Sequence, residues 1–281
     1  DGPLLGRLLQ VADALLEACS ASALPRFANR LFQHYQDPEA VDSDAAFALM
    51  DAMLNVPMER FSSGNWGMPA RFAAWWLERG DAPQQAAAMR LIRRLLPYLP
   101  EDAPERDLIA AAVAKADCVS STPLLYLQAQ LGGALGLDVS AHYVLLDRAD
   151  AASSVFLDNL KTATPWILKA VGVEYLLDQA GRLEQSNSLH IATHFSNLLK
   201  VSENIVVRRM AGRALLEIAP MLTPDRRNEV AVELSEALET GQAEISQYIP
   251  QYLGQFVLWL SPRELDEMVG QMLLFLSSSN T

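Results

Sequence analysis

His190 and His194 stand four residues apart, a spacing that on a helix lets two imidazoles reach one metal ion. Ile191-Ala192-Thr193 lies between them, without the glutamate that an HExxH helix uses as its base, and no third ligand follows nearby. Asn187, His190, His194 and Asn197 read instead as a polar stripe beside Ile191, Phe195 and Leu198: a solvated or hydrogen-bonded helix face, or a partner-binding one. A second set is cationic. Arg208, Arg209 and Arg213 in one helical stretch, and Arg90, Arg93 and Arg94 in an earlier one, could ladder along a surface that takes an acidic protein or peptide, or nucleic acid. The alternative is pairing with surplus carboxylates such as Glu203 or Glu217, worth about 0–1 kcal/mol per exposed pair. The third candidate is Trp66, framed by glycines and a proline in the stretch 61–69, which is either an interface anchor or a cover over neighbouring helices.

No P-loop, no GxSxG and no cysteine–histidine constellation occurs in the sequence, and Gly132-Gly-Ala-Leu-Gly136 lacks the preceding strand that a phosphate-binding loop needs. Glu101, Asp102, Glu105 and Asp107 read as a solvated turn that caps a helix. The expectation is therefore a non-enzymatic chain with no catalytic residue, no cofactor and no metal.

The totals agree with a folded interaction protein. Twenty-two basic against thirty-four acidic residues give a net charge of −12, which disfavours generic binding to phosphate backbones or anionic lipid. Cys19 and Cys118 are far apart in a chain of 281 residues and fit no metal spacing, which points to a reducing compartment. No window approaches the eighteen or more apolar residues of a membrane span, and no segment resembles a signal peptide. A cytoplasmic protein with no membrane contact is expected. The start at Asp1 and the Ser277–Thr281 tail suggest a module of a larger bacterial protein.

The elements that would position these residues are helices throughout. Apolar residues at 5, 8, 9, 12, 15 and 16 recur at helical spacing within Leu4–Cys19, and further helices are expected at 24–35 and, capped by Asp42-Ser43-Asp44, through Leu54 to an end before Pro57. After a loop at 61–69, helices are expected at 70–79, 82–99, 105–115, 122–136, 140–159, 165–180, 187–201 and 204–219. Gly80-Asp81 supplies a stop and a cap, Gly181 a stop, and Thr223-Pro224 and Ser261-Pro262 each a hydroxyl cap with proline at the first helical position. The paired glycines Gly132-Gly133 are expected where helices pack closely.

The later part of the chain repeats itself. Leu222-Thr-Pro with Glu229-Val230 superimposes on Leu260-Ser-Pro with Glu267-Met268 at a shift of 38, and Ala211, Leu215 and Ile218 fall on Ile249, Leu253 and Phe256. Leu183, Ile191, Phe195 and Leu199 precede Leu222, Val230, Leu234 and Leu238 by 39, which gives copies at 183–220, 222–258 and 260–276, the last partial. An earlier echo is Leu95-Leu-Pro-Tyr-Leu-Pro100 against Ile218-Ala-Pro-Met-Leu-Thr223. Paired helices at this period mark an all-α solenoid, here of about six to seven stacked pairs, with a possible kink at 61–69.

Val206-Val-Arg-Arg-Met-Ala-Gly-Arg-Ala-Leu-Leu-Glu-Ile-Ala-Pro220 resembles the second helix of a HEAT repeat, in the armadillo/HEAT superfamily, with Val207, Arg208, Ala211, Ala214, Leu215 and Ile218 on the matching positions. The next unit departs, with Gln247, Tyr248 and Pro250 where arginine and small residues are expected. The resemblance implies a curved scaffold that binds a protein or peptide along its second helices. It also carries two alternatives: a regulatory appendage of a metabolic enzyme, or a nucleic-acid-acting enzyme similar to the HEAT-like DNA glycosylases, for which Trp75, Trp76, Trp166, Asp51 and Asp158 supply residue types but no motif.

Overall fold

The computed structural model of the chain describes residues 67–181, 185–239 and 247–278. The helices expected before residue 57, Trp66 and Asp51 lie outside these residues. The described residues form twelve α-helices with short 3₁₀ turns between some of them, and no strand. The chain folds as two compact units, Asp1–Ala151 and Ala152–Thr281.

In the first unit α1 (Gly67–Arg79), α2 (Ala82–Leu95), α3 (Pro104–Lys115), α4 (Thr122–Ala134) and α5 (Ser140–Leu146) follow in order. Helix α1 starts before Ala70, so Gly67 and Pro69 of the expected loop are helical. Asp81 closes the α1–α2 turn through a capping box: its carboxylate accepts from Gln84 N at 3.0 Å, and Gln84 Oε1 accepts from Asp81 N at 2.8 Å. Helix α1 packs on α2 and α3, and α2 on α4, so neighbours and next-but-one neighbours both touch. Ala73, Leu77, Ala87, Met89, Leu91 and Ile92 bury the shared apolar faces completely. Gly132 is tight for a different reason from the one expected: a Cβ there would lie 2.5 Å from Val139 in the following turn, while Gly133 faces open space. Gly136, at φ +75°, reverses the chain after α4 in the left-handed region that glycine adopts without penalty.

The single helix expected at 140–159 is two, α5 and α6 (Ala149–Leu160). Ala151, Val155 and Asn159 are buried at spacings of four, but Leu146 precedes Ala151 by five. One straight helix would rotate Leu146 off that face, and the break at Asp147-Arg148 lets both sets bury.

The second unit continues from α6 with α7 (Trp166–Ala180), α8 (Gln185–Val201), α9 (Ile205–Ile218), α10 (Pro224–Glu239), α11 (Ile249–Phe256) and α12 (Pro262–Ser278). Pro165 is the N-cap of α7 rather than its first helical residue, and Asn204 caps α9 by accepting from Val206 N at 2.8 Å and Val207 N at 3.3 Å. Helices α7, α9 and α11 pack in succession, and so do α8, α10 and α12, with α8 and α10 bridging to α9 and α11. Two layers of alternate helices result within this unit. Where α9 meets α11, Gly212 lets Tyr252 lie against the helix: a Cβ at 212 would be 2.6 Å from three atoms of that ring.

One local device recurs in both units. Helices α2, α9 and α11 each end in a 3₁₀ turn, Leu96–Tyr98, Ala219–Met221 and Val257–Trp259, followed by an extended leucine, Leu99, Leu222 or Leu260. Each leucine N–H donates to the carbonyl three residues back. After the first two turns, an arginine in the first turn of the next helix adds its donors to the same carbonyls, Leu96 O and Ala219 O, and to others nearby. Arg106 donates to Leu96 O at 2.8 Å, Leu99 O at 3.0 Å and Pro100 O at 2.9 Å. Arg227 donates to Ala219 O at 2.8 Å, Pro220 O at 3.2 Å and Trp259 O at 3.3 Å, with its guanidinium 5.8 Å from the Trp259 ring centroid. A planar donor fork at a helix C-terminus satisfies several orphan carbonyls and sits at the negative end of the helix dipole. Replacing Arg106 or Arg227 by alanine should cost about 1–2 kcal/mol each in urea unfolding, and lysine, with a point charge in place of a fork, should recover only part. Unchanged midpoints in both alanine variants would show that the latches contribute nothing.

Candidate functional site

Two surfaces of the second unit gather groups able to bind, and the first is on α9. Ile205, Arg209, Arg213 and Glu217 follow one another at four-residue steps along the side of α9 opposite its buried Val207, Ala211, Ala214, Leu215 and Ile218. No carboxylate partner reaches the Arg209 or Arg213 guanidinium among the described residues. Arg208 departs from the expected ladder. It is 7% exposed, donates through Nε to Ser202 O at the end of α8, and lies 5.5 Å from the Tyr248 ring centroid. It is one residue out of step with Arg209 and Arg213, which turns it into the core as a latch between α8 and α9.

In the first unit Arg93 donates to Gln130 Oε1 at 2.8 Å and Gln130 donates to Tyr126 at 2.5 Å, a polar line from α2 to α4. Arg90 and Arg94 are half-buried and engaged in contacts of their own. Trp76 is buried in an edge contact with Trp75, ring centroids 5.0 Å apart, and Arg79 covers Trp75 at 5.1 Å. Asp158 is held by Lys161 at 2.7 Å on the surface.

The two histidines separate. His190 is exposed, whereas His194 is 6% exposed, with Phe156 edge-on at 4.8 Å and Asn159 Nδ2 3.3 Å from Nε2. Of the two forms expected for the polar stripe, solvated or hydrogen-bonded, His194 takes the hydrogen-bonded one and His190 the solvated one. Burial disfavours the charged imidazolium and pushes its pKa down to about 4. Among the described residues no group of three or more histidine, cysteine or acidic side chains could hold a metal ion. Cys118 is buried, and desolvation, helped by the Asp117 carboxylate, pushes its thiol up to about 12, far from a reactive thiolate.

The second surface was not anticipated. Where α6 and α8 end and α7 and α9 begin, an open groove of about 540 Å³ forms between the loop 161–165 and the loop 202–204. Gly172 admits α6 this close, since a Cβ there would meet Val155 at 2.9 Å and the Asn159 amide at 3.0 Å. Leu160, Trp166, Leu198 and Val201 give the groove apolar walls, while Lys169, Glu203 and the Asn159 amide give it polar groups. Leu160 and Val201 are 58% and 60% exposed, unusual for side chains of their type beside a core. Pro165 and Asn204 are the N-caps that open α7 and α9 on the groove, and no shared residue type marks the two in the sequence.

Compared with models of protein families, with curated proteins and with solved structures, the chain matches none. Among the described residues no helix is long and apolar enough to cross a membrane.

Proposed function

We infer that the chain is a HEAT-like α-solenoid that acts as a non-enzymatic scaffold for an acidic protein partner, one module of a larger cytoplasmic protein. The observation that carries this reading is the exposed Arg209–Arg213 pair, left without carboxylates among the described residues on one helix of a two-layer stack, in a chain of net charge −12. In a protein with so many carboxylates, two adjacent unneutralised guanidinium groups favour an acidic partner and add steering to its approach. In stacked repeats every second helix lines one face, so α7, α9 and α11 would offer one continuous surface. Nucleic acid is the weaker partner because the rest of the chain repels a phosphate backbone.

The test is affinity capture from source-cell lysate, with and without nuclease, on the wild-type chain and on an Arg209→Glu/Arg213→Glu variant. A discrete protein that survives nuclease and is lost in the variant is the expected result. Recovery only of nuclease-sensitive material, or equal capture by the variant, would contradict it.

A further inference from the structure

We propose that the groove between loops 161–165 and 202–204 is a second binding site, which takes an extended peptide segment presenting a carboxylate side chain next to a leucine or aromatic anchor. The proposal rests on the reading of the chain as a binding module but uses a surface separate from Arg209 and Arg213.

The shape and chemistry of the groove select that occupant. A space of about 540 Å³ admits a short peptide segment as well as a small molecule, so the chemistry of the lining decides the occupant. Trp166 and the exposed Leu160 and Val201 offer an apolar anchor site, and a rigid indole that stays half-exposed is the kind of residue that dominates interface energetics. Lys169, on the first turn of α7, has no carboxylate partner among the described residues, so its cation is available to an incoming acid. Asn159, buried beneath, has its amide nitrogen 3.3 Å from His194 Nε2. With that ring neutral and Nε2 unprotonated the nitrogen donates there, and the amide forms a polar floor under the groove. Glu203 in the opposite loop also has no cation partner among the described residues, and it would repel a run of phosphates. A groove with one cation, one carboxylate and one buried amide fits a peptide backbone with a single acidic side chain, and it does not fit nucleic acid.

The experiment is selection of a phage-displayed random hexapeptide library on the intact chain, with counter-selection on a Trp166→Ala/Lys169→Glu variant shown by its melting curve to be folded. Synthetic copies of the enriched peptides are then titrated by fluorescence anisotropy. Enriched peptides should carry Asp or Glu within two positions of Leu, Phe, Tyr or Trp. Lys169→Glu should weaken them about tenfold or more, replacement of the peptide acid by its amide should do the same, and Arg209→Glu/Arg213→Glu should leave them unchanged. The proposal is overturned if no peptide is enriched over the double variant, if the enriched peptides lack the carboxylate, or if their affinity follows the arginine variant instead of Lys169.

Discussion

Replacing Gly212 by valine is expected to destabilise the second unit by about 3 kcal/mol, at the upper end of what overpacking a well-filled contact costs. The new Cβ would sit 2.6 Å from Cδ2, Cε2 and Cζ of Tyr252, and the extra methyl groups add to that clash. The ring cannot step aside cheaply. Tyr252 is 3% exposed, and its hydroxyl donates to Arg209 O at 3.2 Å. Valine is no worse a helix former than glycine, so a loss seen in thermal or urea unfolding reports the helix–helix contact and not local propensity. A double-mutant cycle with Tyr252→Leu checks the assignment: the smaller side chain should relieve at least about 1 kcal/mol of the valine penalty. Additive effects would place the clash elsewhere.

The second large effect is a pH dependence centred on His194. The folded chain holds this imidazole neutral down to about pH 4, whereas its ordinary value is 6.5. Between those values the unfolded chain binds a proton that the folded chain does not, so stability falls as pH drops through that window and is fully present above it. The shift corresponds to about 3 kcal/mol at most. Exposed carboxylates such as Glu264, held below its usual 4.5 by the Ser261 N–H and hydroxyl, lose their contribution only as pH falls below that ordinary value, largely under the His194 window. His194→Gln separates the two, since glutamine can still bond Asn159 but takes up no proton. The difference in stability between wild type and this variant should shrink steadily from pH 6.5 to 4. A difference that stays flat would mean that His194 is not buried neutral.

The helical class was legible in the sequence because apolar spacing and caps acted together: Gly80-Asp81, Gly181, Asn204, Thr223-Pro224 and Ser261-Pro262 all fall at helix boundaries. The break at Asp147-Arg148 was not legible, since neither residue is a helix breaker and only the five-residue step from Leu146 to Ala151 marks it. Arg208 looked like its neighbours Arg209 and Arg213, and one residue of helical phase, about 100°, decides between a core latch and an exposed cation. His194 went the same way. Its place in a polar stripe was visible, but a buried amide partner from α6, thirty-five residues earlier, was not. The groove escaped because its walls come from four helix ends that no local pattern brings together.

In the proposed function the exposed side of α9 meets an acidic protein. The most direct measurement places a photo-crosslinking amino acid at position 213 in the source cells, with position 221 on the exposed Met221 as control, and identifies the adducts by mass spectrometry. The expected result is a discrete polypeptide adduct at 213, absent at 221, whose crosslinked segment is rich in aspartate and glutamate. Adducts to nucleic acid alone, or the same polypeptides at both positions, would contradict it.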